Sequence, residues 1–183
     1  MKTLIVMRHG HAQAEIDPTG LSADEWHARD HARELESEGR AAAESTAEQI
    51  RDRVGVPDAI VSSDAVRARQ TAEIVAAALG FSEPVQLEAG AYDGADPALL
   101  ATGQELLALL KEFPVNADIV LFVAHAPGVN HLAALLTGAA VEAFDLKRAG
   151  VAHLELDVPG WSEARPAAAR LLAEIEPGLP PTA

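Results

Sequence analysis

The chain has 183 residues, 49% apolar and 23% charged, which is enough to fill the core of one ordinary domain and too aliphatic for a disordered chain. Its formal net charge of −14 argues against nucleic acid and anionic membrane as main partners, because both repel an acidic surface. There is no cysteine, which excludes disulfides, a thiolate metal site and a thiol nucleophile.

The first apolar run, up to Met7, is too short for the core of a signal peptide and has no small-residue cleavage site. No stretch approaches the roughly 18 uncharged apolar residues of a membrane span. The expectation is a cytoplasmic protein. Leu4 to Met7 reads as a buried strand ending in Arg8-His9-Gly10. Residues 11–22, with Pro18 and Gly20, read as loop, and Ser22-Ala23-Asp24-Glu25 is a capping box that opens a short helix. Ser37 to Val54 is predicted helical, with Ala41, Ala42, Ser45, Ile50 and Val54 on one face, and ends at Gly55 and Pro57.

Ala59-Ile60-Val61 is a second strand, followed by Ser62-Ser63-Asp64. Ala65 to Leu79 is a helix stopped by Gly80, and Val85-Gln86-Leu87 is a third strand. Residues 88–97, with Gly90, Gly94 and Pro97, form a loop, and Leu99 to Phe113 form a helix. Asp118 to Ala124 is the clearest buried strand. It is followed by a turn, His125-Ala126-Pro127-Gly128, and by a helix beginning at Val129. Gly150 to Val158 alternates in the manner of a strand with unequal faces, and residues 177–183 form a Pro-rich, frayed tail.

Strand–helix alternation with continuous apolar strands predicts an α/β fold, a three-layer α/β/α sandwich around a mostly parallel sheet. One domain over residues 1–176 is the simplest organisation. Ligands of such folds bind beyond the C-terminal ends of the strands. Three chemistry-bearing segments fall there: Arg8-His9-Gly10, Ser62-Ser63 through Arg67, and His125.

A neutral imidazole can attack phosphorus and hold the phosphoryl group, provided that a hydrogen bond to its other nitrogen fixes the ring. The charge in transit sits on three equatorial oxygens, which arginine forks stabilise. One histidine, two or more arginines and a further donor are the minimum, and His9, Arg8, Arg67 and His125 supply them. No metal and no cofactor are required.

Val6-Met7-Arg8-His9-Gly10-His11-Ala12 resembles the signature of the histidine phosphatase, or phosphoglycerate-mutase-like, superfamily. Ser62-Ser63-Asp64-Ala65-Val66-Arg67-Ala68-Arg69-Gln70-Thr71-Ala72 is similar to its second motif, and Val123-Ala124-His125-Ala126-Pro127-Gly128 to its third. Asp30-His31-Ala32-Arg33-Glu34-Leu35-Glu36-Ser37-Glu38-Gly39 resembles a segment of the short phosphohistidine-phosphatase, SixA-like branch. The resemblance implies His9 as nucleophile, Arg8 and Arg67 on the phosphoryl oxygens, His125 as second pocket histidine and Arg33 as a further phosphate-side arginine. Arg69, two residues past Arg67 on one helix, points elsewhere.

The chain departs from the pattern at four positions. Asp64 replaces a proline and is expected to cap the next helix. Ala126 replaces an asparagine, while Glu34 and Glu36 add charge near Arg33. For the proton donor to a leaving alkoxide, the loop after the third strand offers Glu88, which directly follows the strand, and Asp93. A weak acid signal and a short chain favour a good leaving group and an open site, so the expected partner is a phosphorylated small molecule or a phosphorylated protein side chain. Two rival readings stand beside a phosphatase. One is a phosphate-binding module without turnover; the other is a metallohydrolase on His9, His11 and His125, which the nearby arginines disfavour. His27, His31, His131 and His153 read as ordinary surface or helix residues.

Overall fold

The computed structural model describes residues 1–94 and 100–178. Among them run the strands β1 (Lys2–Arg8), β2 (Ala59–Ser63), β3 (Gln86–Glu88), β4 (Ile119–Ala124), β5 (Val151–Leu156) and β6 (Ala169–Ile175). The helices are α1 (Ala23–His31), α2 (Ser37–Arg53), α3 (Val66–Leu79), α4 (Gly103–Leu110) and α5 (Gly128–Thr137). The strands form one sheet in the order β3-β2-β4-β1-β5-β6. β1 pairs parallel with β4, and β2 parallel with both β3 and β4, while β5 runs antiparallel to β1 and to β6. The expected mixed α/β, mostly parallel architecture is therefore the one observed.

Side-chain alternation assigns the two cores. Leu4 and Val6 of β1 pack with Val120, Phe122, Leu106 and Leu132 on the face covered by α4 and α5. Ile5 and Met7 pack with Leu121, Val123, Ile50 and Val75 on the face covered by α2 and α3. Strand register then aligns the functional ends, with Arg8 opposite Ala124 and Ser62 opposite Val123. His9 is thereby placed beside His125, and the His9 amide donates to the Ala124 carbonyl at 3.1 Å.

Several local expectations change. Helix α3 starts at Val66, with Ala65 in the cap position and no side-chain cap. Asp64 therefore lies outside the cap, and its Oδ1 pairs with His31 Nε2 at 3.0 Å. Ser63 Oγ instead accepts the Ala65 amide at 3.2 Å. Helix α4 starts at Gly103, because Thr102 and Glu105 form a capping box that fixes its first turn; the predicted starting residue, Leu99, lies outside the described residues, as does Asp96 of the preceding loop.

Strand β6 has no alternating signature. Where the register shifts between His153 and Leu154, Leu172 of β6 has no partner on β5, which breaks the period of two, and Leu171 and Leu172 are both exposed. Glu88 is the last residue of β3 and pairs in register with Ser63. In the Pro-rich tail, the Gly178 amide donates to Ser45 Oγ of α2 at 3.1 Å, so the chain is tethered that far; residues 179–183 lie outside the described ones.

The loop after β1 touches the first turn of α2 backbone to backbone. A Cβ on Gly10 would lie 2.6 Å from the Gly39 carbonyl oxygen, and one on Gly39 would collide with the His11 backbone. Gly39→Ala is expected to cost about 2 kcal/mol in urea denaturation, as overpacking does. Gly90→Ala, with nothing within 4 Å of its Cβ, should leave the midpoint unchanged.

Candidate active site

The site lies at the C-terminal ends of β1, β2 and β4. His9 is buried, and its Nδ1 lies 2.7 Å from the Gly10 carbonyl oxygen. A carbonyl only accepts, so Nδ1 carries the proton and donates, and Nε2 keeps its lone pair. That lone pair receives the Nε–H of Arg67 at 3.3 Å. Burial first, then the Arg67 charge, lowers the His9 pKa to about 3, so the ring is neutral across the physiological range.

Arg67 is fully buried and is held by Asp30. Its Nη1 donates to the Asp30 carbonyl at 2.6 Å and its Nη2 to Asp30 Oδ2 at 2.9 Å. Arg33 Nη1 donates to the other carboxylate oxygen, Oδ1, at 2.7 Å, and the Tyr92 hydroxyl donates to Oδ2 at 2.8 Å. Burial pushes the Asp30 pKa up, but Arg67, Arg33 and Tyr92 together hold it below its ordinary value. The Tyr92 hydroxyl is pushed the other way, by burial and by the adjacent carboxylate. Arg33 also donates through Nε and Nη2 to the Gln13 carbonyl, at 3.0 and 2.6 Å. Of the two acids expected to add charge near Arg33, Glu36 lies 3.8 Å from His11 Nε2, and the Glu34 backbone amide donates to Gln13 Oε1 at 3.0 Å.

Among the described residues, two buried side-chain nitrogens have no partner, Arg8 Nε and His125 Nδ1. Arg8 otherwise donates from Nη1 to the Leu146 carbonyl at 3.0 Å, and burial and then Arg148 lower its pKa. His125 Nε2 lies 2.9 Å from Ser63 Oγ, and its ring centroid lies 5.0 Å from that of His9. Burial, then His9 and Arg67, keep His125 neutral. A buried unpaired donor costs about 1–3 kcal/mol, and an anion is a ligand that satisfies such donors.

A pocket of about 530 Å³ opens onto His9, Arg8, Arg67, Asp30 and Arg33. Ala126, which stands where the family pattern has an asparagine, lines it. The structure thus brings together His9, Arg8, Arg67, His125 and Arg33. It does not bring Glu88 to the pocket wall, and Asp93 is committed to His27 at 2.6 Å. The acids in the wall are Asp30 and Glu15.

Asp30, Tyr92, Glu15 and Arg148 escaped the sequence reading, although Asp30 begins the very Asp-x-x-Arg segment that carried the resemblance. His27 and His31, read from the sequence as ordinary surface or helix residues, pair with Asp93 and Asp64 and pack edge-on against Tyr92, with ring centroids 5.0 Å from it. His11 faces Arg148, which donates to its Nδ1 at 2.7 Å. Arg69 does point away, to Glu73. Among the described residues, no group of three or more His, Asp or Glu is arranged to hold a metal ion, and no helix is long and apolar enough to cross a membrane.

Residues 4–92 match the model of the histidine phosphatase superfamily (branch 1). An uncharacterized chloroplastic protein of Arabidopsis thaliana is 28% identical over 171 residues, covering 89% of this chain and 70% of that protein. The solved structure of a putative phosphohistidine phosphatase SixA from Nakamurella multipartitia is similar at 27% identity and a TM-score of 0.73, covering 96% of each chain. Another, from Agrobacterium tumefaciens, superposes with a TM-score of 0.72 at 24% identity, covering 97% of this chain and 99% of that one.

Asp30→Ala leaves two buried guanidinium groups without their counter-charge and is expected to cost about 3–5 kcal/mol in denaturant titration. A second expectation concerns pH. An unfolded histidine binds its proton near 6.5, whereas His9 in the folded chain refuses it until about 3. The unfolded state therefore holds more protons in that window, and stability must fall as pH drops below 6.5, at about 1.4 kcal/mol per unit for this residue. Melting followed from pH 7.5 to 5 should show a steeper loss for the wild type than for His9→Asn; equal slopes would contradict a neutral His9.

Proposed function

The chain belongs to the histidine phosphatase superfamily, and from that premise we propose that it is a metal-independent phosphatase that works through a phosphohistidine on His9. The observation that carries this reading is the His9 Nε2 lone pair, which faces the buried Arg67, with the His125 ring centroid 5.0 Å from that of His9.

In the first step a bond forms from His9 Nε2 to phosphorus while the bond from phosphorus to the leaving group breaks. Arg8, Arg67 and Arg33 hold the equatorial oxygens, and Arg67 Nε–H turns from the imidazole to an oxygen as the nitrogen lone pair is consumed. In this reading Ser63 Oγ, 2.9 Å from His125 Nε2, is the donor of that contact, so the proton of a neutral His125 sits on Nδ1 and is given to the phosphoryl group. In the second step water attacks phosphorus, the nitrogen–phosphorus bond breaks, and phosphate leaves.

A leaving alkoxide needs a proton. Glu15, in the pocket wall, is better sited to deliver it than Glu88 or Asp93. A phosphoramidate such as protein phosphohistidine asks less of that acid and remains within the proposed substrates, together with small phosphomonoesters. The single domain proposed for this activity spans residues 1–176, and the cytoplasm is its proposed place.

The rival reading, a phosphate-binding module without turnover, draws on Ala126 and on the absence of Glu88 from the pocket wall. Hydrolysis of p-nitrophenyl phosphate separates the two. The phosphatase should release nitrophenolate in excess EDTA, and His9→Ala should lose about 10³-fold or more in kcat. Brief reaction and alkaline quench should trap an acid-labile phosphoryl group on the wild type and none on His9→Ala. Phosphate binding without turnover on any phosphorylated compound would favour the module.

A further inference from the structure

The large buried apolar side chains of the sheet and its helices fall into two core clusters, one on each face. Ile16, Leu21 and Trp26 belong to neither. All three are half-buried and line the pocket above His9, with Pro18 and Leu100 beside them. Trp26 is the one large apolar side chain of α1, whose other residues are alanine or polar. An indole on so polar a helix, outside both cores, loses apolar contact unless something fills the pocket next to it.

The wall is fixed in place. Trp26 Nε1 donates to the Ile16 carbonyl at 3.2 Å, which satisfies the polar edge of the indole and ties the loop to the helix. The Ser22–Glu25 capping box sets the start of the helix, immediately before this turn. Asp30 follows Trp26 by four residues, so the two lie on one face of α1, a turn apart. One helix face therefore carries both the carboxylate that holds Arg67 and Arg33 and the ring that walls the space beyond them. The pocket, at about 530 Å³, exceeds what a phosphoryl group occupies and falls within the range of sites for small organic ligands.

The geometry points to a small phosphomonoester with an apolar body, an alkyl or aryl phosphate, whose chain or ring lies against Ile16, Leu21 and Trp26 while its phosphoryl group sits among Arg8, Arg67 and His9. This rests on the phosphatase reading above and narrows its substrate class. The charge balance agrees: an acidic surface does not draw in acidic proteins, whereas a small phosphate responds to the arginines of the pocket.

Non-hydrolysable phosphonates test the wall independently of turnover. In calorimetric titration, hexylphosphonate should bind about ten-fold or more tighter than methylphosphonate, since each buried methylene adds to affinity. Trp26→Ala should reduce that ratio to roughly two-fold, and Trp26→Phe should keep most of it. Equal affinities, no binding of either compound, or a ratio untouched by Trp26→Ala would overturn the inference. Turnover is then compared on hexyl phosphate, methyl phosphate and a histidine-phosphorylated protein domain. Faster kcat/KM on the phosphoprotein would overturn the substrate class and leave the phosphatase reading standing. Chain-length-dependent phosphonate binding with no phosphoenzyme from any compound would do the reverse.

Discussion

The carboxylate of Asp30 is the constraint on which the site depends. It is buried, and one oxygen receives Arg33 while the other receives Arg67 and Tyr92. A buried ion pair is weak evidence for stability, because desolvation offsets much of the attraction. Its use here is positional. Arg67 comes from the helix after β2, Arg33 from the segment before α2, and Tyr92 from the turn after β3. Without a shared acceptor, long side chains from three elements have no reason to converge. Asp30 also cancels part of the charge of two arginines, so the cluster can be buried before any substrate arrives.

Unlike that anchored group, Arg8 has no ion pair at hydrogen-bond distance among the described residues, although Asp145 and Glu15 act on its charge from farther away. It meets a backbone carbonyl through one nitrogen, keeps another unpartnered, and lies close enough to Arg148 for the two charges to oppose each other. A chain with a net charge of −14 thus carries a locally positive pocket. The same positive field, with burial, keeps His9 and His125 unprotonated. In the proposed reaction a protonated His9 could not attack, so the charge proposed to bind a phosphoryl group would also keep the proposed nucleophile in its reactive form.

Much of this was legible in the chain. Apolar runs gave β1, β2 and β4, and parallel topology sent their C-terminal ends, with Arg8, His9, Arg67 and His125, to one edge. The Ser22–Glu25 and Gly80 signals marked helix ends correctly because they act within a few residues. Strand β6 was illegible because its bulge breaks the alternation that reveals strands. Asp64 was misread because a cap depends on a helix start fixed to the residue, and the helix begins one position later.

The site divides along the same line. The sequence by itself determined the residues whose placement follows from the backbone: His9 and Arg8 at the end of a strand, Arg67 in the first turn of a helix, His125 in a turn. Only the tertiary structure decided Asp30, Tyr92, Glu15, Arg148 and the wall of Ile16, Leu21 and Trp26, and only it left Glu88 outside the pocket wall. Strand and helix periodicity are local, so they can be read from neighbours in the chain. Ion pairing and apolar contact act across space, and which carboxylate meets which arginine is settled only when α1 lies over the ends of the strands.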